Sequence, residues 1–385
     1  MKFFHIADLH IGKRVNAFSM IEDQRHILNQ ILDAVDSEKP DGLFIAGDVY
    51  DKRMPPAEAV ALLDDFLTRL SEKNCPVFII SGNHDSAERL GFGNRLLNRA
   101  GLHIAGPYNG TVEKHLLSDE HGDIAIFMMP FLKPALVAPY AEEPPLSYDA
   151  AVRTALGSLA VDPGMRNILI AHQFVTLGEE TPERSDSEMI SVGGVDNIDA
   201  SAFDVFDYVA LGHIHRPQKI GRASIRYAGS PLKYSFSEVR HQKSITVVEL
   251  FEKSNIKLTQ IALTPLRDMV EIKGPLAGLI EAGRSLPAQT EDYVRAILTD
   301  EEPLYDAVGQ LRAVYPNLMA LDFENRRTAS ENSHTAASGN IAEKKPLELF
   351  SEFYTLQHET TLPIEYEAWM TRIFDRTSGD DDETH

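Results

Sequence analysis

Five short apolar runs, each leading into a residue able to bind a metal ion, constrain this chain more than any other feature. Phe3–Ala7 leads into Asp8-Leu9-His10, and Gly42–Ala46 into Gly47-Asp48. Pro76–Ile80 leads into Gly82-Asn83-His84-Asp85, Asn167–Ala171 into His172, and Asp207–Leu211 into Gly212-His213-Ile214-His215. Apolar runs of this length mark strands buried on both faces. Layered α/β folds build their sites from polar residues just past such strand ends. A single Asp-x-His is a weak signal, but five such endings in one chain point to one shared site.

Between the runs the periodicity becomes helical. Residues 21 to 36 place Ile27, Ile31 and Val35 at helical spacing. Met54-Pro55-Pro56 opens a second helix, with Val60, Leu63, Phe66, Leu67 and Leu70 on one broad face. Strand–helix–strand order predicts right-handed crossovers and a largely parallel core. Ser86 is read as the cap of a third helix reaching about Asn98, with Leu90, Leu96 and Leu97 buried. Short strands are expected over 103–130, irregular chain over 131–150 and a short helix over 151–159. The polar stretch 173–200 is long enough to suggest the rim of a site. Segments 225–231 and 244–250 read as strands closing a second sheet.

At 385 residues the chain exceeds one ordinary core. The expected division is a domain over 1–265, a small α+β domain over 266–325 and a linker over 326–345. Two amphipathic helices over 346–375 and an acidic tail over 376–385 complete it. The first of these helices carries Leu349, Phe350, Phe353, Tyr354 and Leu356; the second carries Tyr366, Trp369, Met370, Ile373 and Phe374. Two tethered helices bury little apolar area alone, so they read as a docking element for a partner.

The net charge of −21 argues against a protein that coats polyanions. Nucleic acid remains admissible as a substrate, because bound divalent ions and a few local cations can reverse the field. One cysteine, Cys75, rules out an internal disulfide framework. The opening run is broken by His5 and Asp8, unlike a signal peptide, and no stretch of 18 apolar residues occurs. A cytoplasmic location is expected.

The candidate ligands are Asp8, His10, Asp48, Asn83, His172, His213 and His215. Two ions about 3.5–4 Å apart need a shared bridge, and Asp48 on the middle strand is the natural one. Asp8, His10 and one of the His213/His215 pair would hold one ion, and Asn83, His172 and the other histidine the second. Nitrogen and oxygen donors without thiolate suit Mn, Fe or Zn. His84 is better placed to contact a scissile phosphate than a metal, with Asp51 or Asp85 to orient it. Lys13, Arg14 and Lys233 are candidate phosphate contacts. His5 reads as structural, and His26, His103, His115 and His121 as ordinary packing or surface residues.

The motifs Asp8-x-His10, Gly47-Asp48, Gly82-Asn83-His84-Asp85, His172 and Gly212-His213-x-His215 resemble the calcineurin-like metallophosphoesterases over about residues 1–250. With Tyr227-Ala228-Gly229-Ser230-Pro231, the small second domain and the C-terminal helices, the chain is similar to the SbcD family of nuclease subunits. The resemblance implies a two-layered mixed β-sandwich flanked by helices, an α+β DNA-capping domain and C-terminal partner-binding helices. It implies two Mn²⁺ ions, with Mg²⁺, Fe or Zn as alternatives. Asp8, His10, Asp48 and His215 would hold one, and Asp48, Asn83, His172 and His213 the other, with His84 catalytic. It implies in-line hydrolysis of DNA phosphodiesters without a covalent intermediate: 3′-to-5′ on duplex ends, endonucleolytic on single strands and hairpins. The implied partners are a second copy, through helices near 55–70 and 86–98, and SbcC, a Rad50-like coiled-coil ATPase. This chain shows no phosphate-binding Gly-rich loop of its own. Rival readings are a generic phosphoesterase of nucleotides or phosphoproteins, and a non-enzymatic scaffold with a structural metal site.

Overall fold

The computed structural model describes residues 1–188, 196–285 and 291–325. Beyond these it describes Leu347, Phe350, Ser351, Tyr354, Leu362, Pro363, Tyr366, Trp369 and Met370.

Two six-stranded sheets form the core. The first runs in the order Ile256–Ala262, Ser244–Leu250, Lys2–Ile6, Gly42–Ala46, Val77–Ile80, Leu102–Ile104. Its last four strands are parallel and the first two are antiparallel additions. The second sheet runs Gln218–Ile220, Arg222–Tyr227, Tyr208–Gly212, Arg166–His172, Gly122–Met128, Glu113–Asp119. Its four inner strands are parallel and both edges are antiparallel.

Alternation along each strand builds three apolar layers. Phe3, Phe44, Phe78, Ile124, Ile126, Ile168, Ile170, Tyr208 and Ala210 fill the space between the sheets. Phe4, Ile6, Leu43, Ile45 and Ile79 face the other way, against helices Ile21–Glu38 and Ala57–Glu72. Phe127, Leu169, Val209 and Leu211 pack outward with helix Tyr148–Gly157. Mixed sheets flanked by helices are therefore the architecture, as the family resemblance implied; the inner strands are parallel, as the apolar runs predicted. His5 is buried between the sheets, where its Nδ1 meets the Tyr208 hydroxyl at 2.9 Å.

Several local expectations change. Ser244–Leu250 does not close the second sheet. It pairs antiparallel with Lys2–Ile6 in the first, Phe3 opposite Val248, and only Arg222–Tyr227 joins the second. The helix expected from Ser86 to Asn98 is broken. Ser86 caps only Ala87–Leu90, and Gly93 then turns left-handed (φ 76°) before Asn94–Leu97. Leu90 is buried, but Leu96 is exposed. Val60 faces solvent, while Ala59 and Leu62 take the buried face of their helix. The stretch 173–200 carries two short paired strands, Phe174–Thr176 and Asn197–Asp199. Its residues 189–195 lie outside the described set.

Residues 269–323 form a parallel three-stranded sheet, Met269–Gly274, Tyr293–Leu298 and Leu318–Phe323. Two helices accompany it, Leu276–Ser285 and Ala307–Arg312. Buried Asp23 joins this layer to the first helix, accepting from the Tyr293 hydroxyl (2.7 Å) and from Arg267 (2.7 Å).

The chain divides into two compact units, 1–323 and 324–385. In the second, Leu347, Phe350, Ser351 and Tyr354 are helical, as are Tyr366, Trp369 and Met370. Leu349, Phe353, Leu356, Ile373 and Phe374, the linker 326–345 and the tail 376–385 lie outside the described residues. Among the described residues no helix is long and apolar enough to cross a membrane.

Candidate metal centre

All five strand endings meet at one edge of the sandwich. Asp8, His10, Asp48 and Asn83 rise from the first sheet, and His172, His213 and His215 from the second. Asp8, His10, His172 and His215 are each at most 2% exposed. The chain turns sharply at the strand ends, so Asp8 (φ 53°), His10 (φ 44°), Asp48 (φ 46°) and His213 (φ 99°) all have left-handed backbone. Such positions cost non-glycine residues roughly 1–3 kcal/mol each and cluster at functional sites. Gly47 and Gly212 are required by crowding. A Cβ on Gly47 would overlap the His172 ring, and one on Gly212 would overlap the Ala46 carbonyl and lie 2.7 Å from His172 Nδ1.

Each imidazole turns one ring nitrogen inward. His172 Nδ1–H donates to the Ala46 carbonyl at 2.8 Å. Its Nε2 therefore faces Asn83 Oδ1 at 3.0 Å and Asp48 Oδ2 at 3.3 Å. His213 Nδ1 faces the same Asn83 oxygen at 3.1 Å. His10 Nε2 lies 3.1 Å from His215 Nε2 and 3.7 Å from Asp48 Oδ2. The Asp8 carboxylate accepts from the His213 main-chain N–H at 3.0 and 3.1 Å. Lone pairs facing lone pairs in a buried space repel unless a proton or a cation lies among them. Asp8, His10 and His215 form one group with metal-binding spacing, and Asp8, Asp48 and His172 a second; the two share Asp8. A third such group, His10, Asp48 and His84, reaches to the margin of the centre. The donor set fits a pair of divalent ions, and its chemistry does not select among Mn, Fe and Zn.

The charges answer to the same crowding. Burial pushes the Asp8 carboxyl up to about 7, against the opposing pull of His172 and His215. Burial also works against the Asp48 carboxylate, but His172, His10 and His84 overcome it and hold its pKa well below the ordinary value. Burial alone would lower His172, yet Asp48 and Asp8 push it up to about 9. A carboxyl raised from 3.8 favours the fold below that value, and its contribution is lost as pH climbs toward about 7. An imidazole raised from 6.5 gives stability that is complete below that value and lost as pH rises through about 9. Both effects weaken the metal-free protein in the same direction, and cations bind the deprotonated groups. The difference in Tm between Mn²⁺-loaded and EDTA-treated protein should therefore widen from about pH 6 to about pH 9. A pH-independent difference would contradict this coupling.

His84 stands at the outer edge of the ligands. Its Nδ1–H donates to the Asp51 main-chain carbonyl at 2.9 Å, leaving Nε2 4.0 Å from Asp48 Oδ2. The orienting partner is thus Asp51's backbone rather than a carboxylate. Asp85 does not orient His84. Its carboxylate accepts from the N–H groups of Val49 (3.0 Å), Tyr50 (2.9 Å) and Gly82 (2.9 Å), tying two ligand loops together. The Asp51 carboxylate pairs with Lys13 at 2.8 Å, so Lys13 is already committed beside the site. Lys233 is committed elsewhere, pairing with Asp268 at 2.8 Å and donating to the Val239 carbonyl at 2.8 Å. Each lysine thus already has a carboxylate partner. Arg14 is exposed, donates to the Ala17 carbonyl and lines a groove with Ser187, Tyr234 and Arg295.

Sequence reasoning missed the supports behind the ligands. Gln24 donates to the His10 carbonyl (2.7 Å) and to the Tyr234 hydroxyl (3.0 Å). His215 Nδ1–H donates to Ser187 Oγ (2.7 Å), which donates to Glu238 (2.6 Å). Glu188 accepts from the His215 N–H at 2.8 Å. Lys243, only 5% exposed, donates to Glu238 (2.5 Å), Ser230 (2.8 Å) and the His215 carbonyl (2.8 Å). These residues carry no local signal, since they become neighbours only in three dimensions. Lys243→Met should cost about 3–5 kcal/mol, because Glu238 would be left charged, buried and unpaired. Urea unfolding indistinguishable from the parent chain would show that the pair contributes nothing net.

Residues 1–217 match the family of calcineurin-like phosphoesterases. Residues 265–358 match SbcD_C, described as the type 5 capsule protein repressor C-terminal domain. The chain is similar to the SbcD subunit of nuclease SbcCD from Staphylococcus epidermidis, 34% identical over 326 residues, covering 83% of this chain and 85% of that one. It is 32% identical over 328 residues to the Staphylococcus saprophyticus protein of the same name, covering 83% and 84%. Among solved structures it has a loose likeness to TT1561 of Thermus thermophilus: TM-score 0.40 and 12% identity, covering 67% of this chain and 98% of that one.

Proposed function

Because the chain belongs to the calcineurin-like phosphoesterases, and within them to the SbcD family of nuclease subunits, we propose that it is the nuclease of a two-component DNA-processing machine. Its substrates are DNA phosphodiesters. It degrades duplex ends 3′ to 5′ when an ATP-driven partner engages it, and it cuts single strands and hairpins endonucleolytically. The observation that carries this reading is the convergence of seven metal-type side chains on one buried point, with His84 held at their outer edge.

Asp48, Asp8, His10 and His215 would hold one ion, and Asp48, Asn83, His172 and His213 the other. Divalent cations held there, manganese first among them, would supply charge to neutralise the phosphate and to activate water for in-line attack. The chain's own groups do the rest. Ala46 keeps the proton of His172 on Nδ1, so Nε2 stays a donor to metal. The Asp51 carbonyl anchors His84 Nδ1–H, which leaves Nε2 for the phosphate, where, carrying a second proton, it would stabilise or protonate the departing 3′ oxygen. Arg14 guides the strand along its groove.

We assign residues 266–325 to capping the DNA and 346–375 to docking SbcC, a Rad50-like coiled-coil ATPase. The exposed apolar side chains of Met54, Phe92 and Leu96 suit self-association through helices near 55–70 and 86–98. A chain working on chromosomal DNA in this way acts in the cytoplasm. Removing residues 346–385 should spare Mn²⁺-dependent single-strand cutting and abolish ATP stimulation by the partner. Stimulation that persists would place the docking surface elsewhere.

The deciding experiment is Mn²⁺-dependent cleavage of an end-labelled hairpin duplex, with and without the ATPase and ATP. Hairpin opening by the chain alone, with ATP needed for processive duplex loss, is the expected result. Intact DNA beside brisk turnover of small phosphate monoesters would move the chain to a generic phosphoesterase. No turnover of any ester would leave only a metal-holding scaffold.

A further inference from the structure

A cleft of about 550 Å³ opens on the Asn83/His213 side of the centre, and the chemistry at the metals does not require it. Both of these residues line it, together with Tyr108, Phe131, Tyr148 and Phe174. The rings reach from the metal centre outward. Phe174 lies 6.5 Å from the His213 ring, Phe131 lies 6.3 Å from His172, and Tyr148 lies 6.2 Å from Phe131. Arg53 and Lys133, both exposed, also line it, beside the carboxylates of Asp85 and Glu88, and neither cation lies within 4 Å of a carboxylate oxygen among the described residues. Gln173 and Asp196 also border the cleft, but their side-chain oxygens that lack a donor among the described residues are sealed from it.

Phe174 belongs to the core, and Tyr108 and Tyr148 pack on its edge. Phe131, Tyr108 and Tyr148 are only half-buried and keep surface beside the cleft. Aromatic surface beside a phosphate-cleaving centre suits a planar π system, and cations in the same lining suit a backbone phosphate. We propose that the cleft receives one unpaired nucleobase of the strand being cut, stacked against Phe131 and Tyr148, with the adjoining phosphate held by Arg53 and Lys133. The inference rests on the nuclease reading and deepens it. A base within a duplex is stacked and paired and cannot enter, so the cleft favours hairpin loops and single strands. Stacking of a base on an aromatic side chain commonly changes affinity about tenfold or more.

The test uses the full chain with Mn²⁺ and two hairpins that differ at one loop nucleotide, 2-aminopurine or an abasic site. The chain should cut the first at least about tenfold better in kcat/KM, and the doubly substituted F131A/Y148A chain should cut the two alike. Equal cutting of the two hairpins by the parent chain overturns the cleft assignment while leaving the nuclease reading intact. Failure to cut either hairpin overturns both. A second measurement needs no substitution. With Ca²⁺ replacing Mn²⁺, 2-aminopurine fluorescence should be quenched on binding, as stacking requires, and unchanged emission from bound hairpin counts against the proposal.

Discussion

His84→Gln should lose DNA cleavage by about two to four orders of magnitude while retaining both divalent ions. The geometry separates the two roles. His84 is 18% exposed at its side chain, whereas the seven candidate ligands include five that are at most 2% exposed. Its Nδ1–H is fixed on the Asp51 carbonyl, and its main-chain N–H donates to Asp48 Oδ1 at 2.9 Å. A glutamine keeps that main-chain bond and roughly the same length, but it cannot deliver a proton to a leaving oxygen. Metal content by atomic emission and cleavage of the labelled hairpin are the two readouts. Loss of metal together with activity would make His84 a ligand.

Asp48→Asn is expected to be more severe, with both the ion pair and catalysis gone. Asp48 Oδ2 faces His172 at 3.3 Å and His10 at 3.7 Å, so one carboxylate serves both sides of the centre. An amide has one oxygen, carries no charge, and turns an N–H₂ toward groups that need a cation. Asparagine is well tolerated in left-handed backbone, so the turn after Gly47 survives and the defect is one of charge. Cleavage should fall to background, and Mn²⁺ should no longer raise Tm. Full metal loading in this variant would show that Asp8, which also belongs to two of the metal-spaced groups, supplies the bridge instead.

The parts of this protein that can be read from its sequence are those in which neighbours in the chain act together. Each strand carries its own ligand at its own end, so Asp8, Asp48 and His172 are legible one segment at a time. The helices 21–38 and 57–72 are legible for the same reason, through their spacing. Pairing between distant segments is not. Ser244–Leu250 follows Arg222–Tyr227 in the chain, yet it pairs with Lys2–Ile6 at the opposite end of the domain, which no local pattern encodes. The partner of His84 is a main-chain oxygen, which every residue has, so no pattern of side chains points to it. Lys233 looks like a free cation beside Ser230-Pro231, and only the fold brings Asp268 to it. Glu238 and Lys243 read as ordinary loop charges until the sheets place them behind His215.

The left-handed turns at Asp8, His10, Asp48 and His213 bear on how this protein can change over time. Each holds a residue in a backbone that glycine would adopt more comfortably, and the crowded imidazoles and carboxylates add their own repulsion. Selection for a sturdy fold alone would erase the site, because relaxing these positions relieves the molecule. A descendant released from cutting DNA should therefore lose its ligands early and gain heat tolerance as it does so. Where all four persist in a lineage, their persistence is a record of continued use.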